Sequence, residues 1–240
     1  MKHLKNWKKM TVIALVFTLS ASVQVLARGR GMGTSITTMP YQSLSQDEES
    51  AILKMREEEK LARDVYTTLY EKWSIKNFQQ IASSEQKHMD AVKALIEKYS
   101  LTDPVVDDRV GVFTSEAYQK LYDKLVADGQ NSQVDALKVG ATIEDLDIYD
   151  LQEAIAKSDN QDVRTVFQNL MKGSRNHLRS FCWLLSAMNE SYTAQYLSES
   201  EIQQILNSPR ERGAVDADGR PTQKNNGGGR RGGRGKGPRF

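Results

Sequence analysis

Four stretches of this chain carry apolar side chains at heptad spacing, and each stripe turns polar in its middle. The first runs Ile52, Met55, Glu59, Ala62, Tyr66, Leu69 and Trp73. The second runs Phe78, Ile81, Glu85, His88, Val92, Leu95 and Tyr99. The third is Leu137, Gly140, Glu144, Asp147, Leu151 and Ala154, and the fourth is Phe167, Leu170, Ser174, His177, Phe181, Leu184 and Met188. This spacing puts each set on one helix face, the face that a bundle buries. The same faces then bury four carboxylates and two imidazoles. Burying even one carboxylate without a partner is unfavourable by on the order of several kcal/mol. A set of them is expected where a cation offsets their charge.

Helix boundaries follow from capping signals. Ser45-Gln46-Asp47-Glu48 is a capping box, so the first helix starts at Ser45 and runs to about Trp73. The second starts near Asn77, a good N-cap residue, and stops near Tyr99, ahead of Asp103-Pro104. Residues 100–131 form a long connection with a turn-rich piece and a short amphipathic helix over Ser115 to Ala127, closed by Gly129. The third long helix runs from Ser132 to about Lys157, and the fourth from Asn160 to about Asn189. A last short helix starts at Ser198, with Glu201 completing a second capping box. No stretch shows a strand pattern. The fold class is therefore all-α, a four-helix bundle with one long crossover between helices two and three, plus short extra helices. In an antiparallel bundle helix midpoints share one level. Glu59, Glu85 with His88, Glu144 with Asp147, and Ser174 with His177 all lie near midpoints and should meet in one layer.

The two ends read differently from this body. Lys2, Lys5, Lys8 and Lys9 precede a weakly apolar stretch, Thr11 to Val25, and Val25-Leu26-Ala27 suits cleavage. Residues 1–27 read as a signal peptide, which implies an exported, periplasmic or secreted protein with no membrane span after cleavage. Residues 28–43 read as a flexible linker. Residues 44–207 hold the bundle and carry 18 basic and 28 acidic residues, so the body is acidic, attracts cations and repels free nucleic acid. Residues 208–240 carry nine basic and three acidic residues and read as a disordered Arg/Gly-rich tail. Such a tail solubilises the chain or touches a polyanion such as envelope lipid, surface polysaccharide or extracellular DNA. A single cysteine, Cys182, excludes an intramolecular disulfide and reads as a small core residue.

Glu85-x-x-His88 presents both side chains on one helix face. With an oxygen-rich set and two imidazoles, the layer suits iron or manganese better than zinc. Tyr66 either hydrogen-bonds a metal ligand or is a core aromatic. Gly140 suits close helix approach. Glu57 and Glu58 belong to a charged run and read as solvated, and Arg175 and Arg179 suit the exposed face of the fourth helix.

On these residues the chain resembles the ferritin-like superfamily over residues 45–190, specifically its rubrerythrin-like and uncharacterised exported members. Glu59 with Tyr66, Glu85 with His88, Glu144, and the extra acid Asp147 match that pattern. Ser174-x-x-His177 keeps the last histidine and lacks the acid. The resemblance implies a carboxylate-bridged di-iron or di-manganese site, two metals per chain, with Glu59, Glu85, His88, Glu144, Asp147 and His177 as ligands. Asp147 would swing in to replace the acid missing at Ser174; otherwise the site holds one metal. It implies an oxidoreductase of peroxidase or ferroxidase type acting on oxygen, peroxide or Fe(II), and a homodimer. No Cys-x-x-Cys electron-transfer unit is present, so electrons would come from Fe(II) or an outside donor. A non-catalytic metal-binding protein, or a structural bundle with a degenerate or mononuclear site, is the competing reading.

Overall fold

In a computed structural model the described residues are Ile36 and 38–222. The expected signal peptide, most of the expected linker and the Gly/Arg run from residue 223 onward lie outside them. Six helices follow in order: α1 (Gln46–Trp73), α2 (Lys76–Lys98), α3 (Glu116–Gly129), α4 (Gln133–Lys157), α5 (Gln161–Ala187) and α6 (Glu199–Asn207). Among the described residues the only β pairing is an isolated bridge between Val215 and Pro221, and no helix is long and apolar enough to cross a membrane.

Local chemistry sets the helix ends. Ser45 and Glu48 form the expected capping box, as do Ser198 and Glu201. Ser132 and Asn160 cap α4 and α5 through their side chains. α2 differs from expectation: it starts at Lys76 behind Ile75, without a side-chain cap. Ser74 already turns the chain in the left-handed region (φ 53°) and donates its N–H to the Tyr70 carbonyl, so the α1–α2 link is too tight for a capping loop at Asn77. Asn77 instead donates to Ser180 Oγ on α5.

α1 pairs with α2 and α4 with α5 as two hairpins, and the hairpins face each other through α1 against α4 and α2 against α5. α3, carried by the crossover, packs on α1 and α4. The apolar core is split in two. One cluster holds Val65, Tyr66, Leu69, Phe78, Leu137 and Phe181; the other holds Ile52, Met55, Val92, Leu95, Leu151 and Phe167. The polar middles of the stripes fall between them.

The crossover does more than connect. It wraps the outer face of α1, and residues 55–66 are buried all the way round. Arg56 grips Asp103 through its guanidinium, Lys60 donates to Asp64 (2.5 Å) and to the Arg109 carbonyl, and Asp64 accepts the Gly111 N–H. Glu57 and Glu58, expected in solvent, are consequently buried.

A second departure lies past α6. Residues 208–222 were expected in the disordered tail, yet they pack on α5. Asn169 and Val215 exchange hydrogen bonds (2.8 and 3.0 Å), and Val215 is buried. Glu211 accepts from Arg175 and Arg179, which are therefore covered anchors of this segment.

Candidate metal centre

Each long helix brings its mid-stripe residues into the layer between the two apolar clusters. From α1 comes Glu59, from α2 Glu85 and His88, from α4 Glu144, and from α5 His177, all buried. Two groups result: Glu59, Glu85 and His88; and Glu85, Glu144 and His177. In each, three donor atoms lie within 4.8 Å of one another. Glu85 belongs to both. Its Oε2 lies 2.7 Å from His88 Nδ1 and its Oε1 lies 2.8 Å from His177 Nδ1. His88 Nδ1 is also 3.2 Å from Glu59 Oε2, and His177 Nδ1 is 3.5 Å from Glu144 Oε2. The two rings stack, 5.7 Å apart and 27° inclined.

Asp147 stands beside the groups without joining either. Ser174, fully buried, donates a short hydrogen bond to Asp147 Oδ2 and also contacts the Leu170 carbonyl. Ser174 therefore holds the acid that was expected to replace the missing carboxylate. Tyr66 is a core aromatic packed against Phe78 and Phe181, and it also donates to Glu144 Oε1 at 2.7 Å. The core reading of this tyrosine holds, and its hydroxyl also reaches a carboxylate of the layer. A cavity of about 30 Å³, close to one water's share of space, borders Glu58, Glu59, Glu85, Glu144 and Asp147 and is further lined by Thr142, Tyr196 and aliphatic groups including Leu61, Leu121 and Leu125.

Without a cation the layer is held by protons. Burial pushes the Glu59 carboxyl up to about 8 even against the pull of His88. Burial, reinforced by Glu59 and Glu144, raises Asp147 well above the usual carboxylate range. Burial works against charge on Glu85 as well, but His177 and His88 outweigh it and hold Glu85 low. Burial would lower His177, yet Glu85 and Glu144 carry it up to about 10. These are the signs of acids sharing too few positive charges.

The donor set fits a metal. Glu59 Oε1 accepts no hydrogen bond. Glu85 Oε1 and His177 Nδ1 lie 2.8 Å apart, yet neither makes an aligned hydrogen bond. Buried polar atoms are rarely left this way, and donor atoms without a hydrogen bond, within 4.8 Å of one another, suit a shared cation. Three carboxylates and two imidazoles in two groups joined by one carboxylate are able to hold metal ions.

Sequence reasoning missed three residues. Glu58 lines the cavity, and burial pushes its carboxyl up to about 8 against the pull of Lys54, 3.2 Å away. Asp145, fully buried, accepts from the Tyr192 hydroxyl and the backbone N–H groups of Gln195, Tyr196 and Leu197, which ties the chain after α5 to α4. Gly173 makes room for the His88 ring. Its position one residue ahead of Ser174, on a long helix, was the available signal. Cys182 is half-buried rather than core.

The family model of an uncharacterised protein domain, DUF2202, matches residues 48–209. The uncharacterised protein MJ0754 of Methanocaldococcus jannaschii is 55% identical over 178 residues, covering 74% of this chain and 96% of the relative. The crystal structure of hypothetical protein MJ0754 from Methanococcus jannaschii DSM 2661 matches with a TM-score of 0.71, covering 72% of this chain and 99% of that one. The matched span takes in α1 from Glu48 onward, the five helices after it and every residue of the polar layer, and the chain belongs to the DUF2202 family.

Proposed function

We propose that this chain is an exported, ferritin-like metalloprotein that binds two iron or manganese ions per chain and carries out redox chemistry on oxygen, peroxide or Fe(II). The observation that carries the reading is the sharing of Glu85 between two groups, each with one histidine and one further glutamate of its own. In it Glu59, Glu85 and His88 hold one ion, and Glu85, Glu144 and His177 hold the other. Two such ions, when bound, would accept and return electrons one at a time. The chain's own contribution is positional. Glu85 spans the pair, Tyr66 fixes Glu144 by hydrogen bond, and Ser174 holds Asp147 in reserve at the edge of the layer. A small cavity adjoins the layer, bordered by Glu59, Glu85 and Glu144 and by aliphatic groups such as Leu61, Leu121 and Leu125.

Elemental analysis of the purified protein, beside a His88→Ala, His177→Ala double variant, tests the reading. Close to two metals per wild-type chain, lost in the variant, is expected. Oxygen and peroxide consumption by the Fe(II)-loaded protein then separates turnover from simple metal binding. Absence of metal after anaerobic reconstitution with Fe(II) and Mn(II) would sink it.

A further inference from the structure

Every polar contact of the two histidine rings among the described residues runs through Nδ1. Their Nε2 atoms make no hydrogen bond among the described residues. A histidine that ligates a metal through one nitrogen normally donates its other N–H to a carboxylate or carbonyl, which fixes the ring and tunes its basicity. Here the two rings and Gly173 form part of the lining of a surface groove of about 990 Å³.

The groove has an unusual charge. Lys87, Lys172 and Arg210 line it, and none of its lining residues is an aspartate or glutamate, although the domain carries ten more acids than bases over residues 44–207. Lys172 is half-buried. It donates to Asn169 Oδ1 and to the Gly213 carbonyl and makes no ion pair among the described residues. Neither Lys87 nor Arg210 has a carboxylate partner among them. Two N–H donors on stacked rings 5.7 Å apart, flanked by unpaired cations, offer what an oxyanion needs: several charge-assisted hydrogen bonds converging from one side.

We infer that this groove binds a small oxyanion of the phosphate class, which accepts from His88 Nε2–H and His177 Nε2–H and pairs with Lys172 and Lys87. The bound oxyanion takes the place of the missing protein carboxylate behind both histidines. An imidazole that binds metal through Nδ1 carries its proton on Nε2. The inference rests on the metal reading for what lies on the inner side of the rings, and on the groove alone for the outer side.

Titration calorimetry with inorganic phosphate on the Mn(II)-loaded full chain tests it, with metal per chain measured on the same samples. One phosphate per chain is expected. Lys172→Ala and Lys87→Ala should each weaken it by roughly tenfold, the loss of one hydrogen bond to a charged group, with metal content unchanged. Lys87 is exposed, so its variant keeps the test sound if Lys172→Ala disturbs the Gly213 contact. No phosphate binding, or equal affinity in wild type and both variants (phosphate on the metal itself), overturns the inference. Should the chain hold no metal, the metal reading fails by that measurement. Phosphate titration of the metal-free protein then decides the groove by the same variants, with lysine-dependent binding supporting it and none overturning it.

Discussion

The His88 ring occupies the space that a side chain at position 173 would need. A Cβ built on Gly173 would fall 2.6 Å from both Cε1 and Nε2 of His88, with His177 Cε1 at 3.9 Å. Those two ring atoms belong to a buried side chain held at Nδ1 by two glutamates, so they cannot swing away freely. Glycine in mid-helix is unfavourable by roughly 1 kcal/mol relative to alanine, and α5 carries it where the imidazole passes. Gly173→Ala should gain helix propensity yet displace His88. Expected are retained helix content by circular dichroism and metal affinity weakened by at least about tenfold, a displacement worth some 1.4 kcal/mol. Unchanged metal affinity would show that the ring has another place to go.

Sharing of Glu85 between the two donor groups would give two proposed metal positions unequal dependence on the glutamates. Glu85→Gln should lower metal content at both positions and leave little bound. Glu59→Gln should remove one ion and spare the other, because the second group does not include Glu59. Elemental analysis of the two variants side by side checks this. Equal losses would mean that the ions bind as one unit, or that only one position exists.

Stability should depend on pH in opposite ways with and without metal. His177 is raised from 6.5 to about 10 in the folded chain, so its contribution is complete below pH 6.5 and disappears as pH rises through 10. Glu59 is raised from 4.5 to about 8; its neutral form favours folding below 4.5, and that advantage is lost as pH rises through 8. The metal-free protein should therefore lose stability steadily between pH 6 and 10. Metal binding displaces these protons and strengthens as they leave. The metal-induced rise in Tm should grow from pH 6 to pH 9, measured by thermal melts with and without Mn(II). A shrinking or constant difference would contradict the proton-held layer.

Asp145 should matter to the fold and not to the metal. Asp145→Ala strips an acceptor from one hydroxyl and three backbone N–H groups. Leaving such donors buried costs about 1–3 kcal/mol each where water cannot replace the partner. A loss of at least about 3 kcal/mol in denaturant melts is expected, with metal per chain unchanged.

Legibility in the sequence followed the reach of the interactions involved. The stripes through Phe78 to Tyr99 and Ile52 to Leu69 were readable because helical periodicity and capping are local, set within four or five residues. The layer holding Glu59, Glu85, His88, Glu144 and His177 was readable because midpoints of antiparallel helices share a level whatever their packing angle. Glu57 and Glu58 were misread because nothing within α1 indicates that the crossover and α3, residues 100–129, fold back over it. Arg175 and Arg179 were misread for the same reason: their partner, Glu211, lies more than thirty residues on.

The sequence by itself determined the helices, their order and the depth at which polar groups are buried, since period and capping are properties of short segments. Only the tertiary structure decided which oxygen meets which ring. Glu85 reaching both histidines, Asp147 held by Ser174, and the two imidazole rings lining a basic groove all depend on rotation of each helix about its own axis. That rotation is set by interlocking contacts such as Gly173 with His88 and Gly140 with Phe181, in which one helix's missing side chain is filled by another's ring.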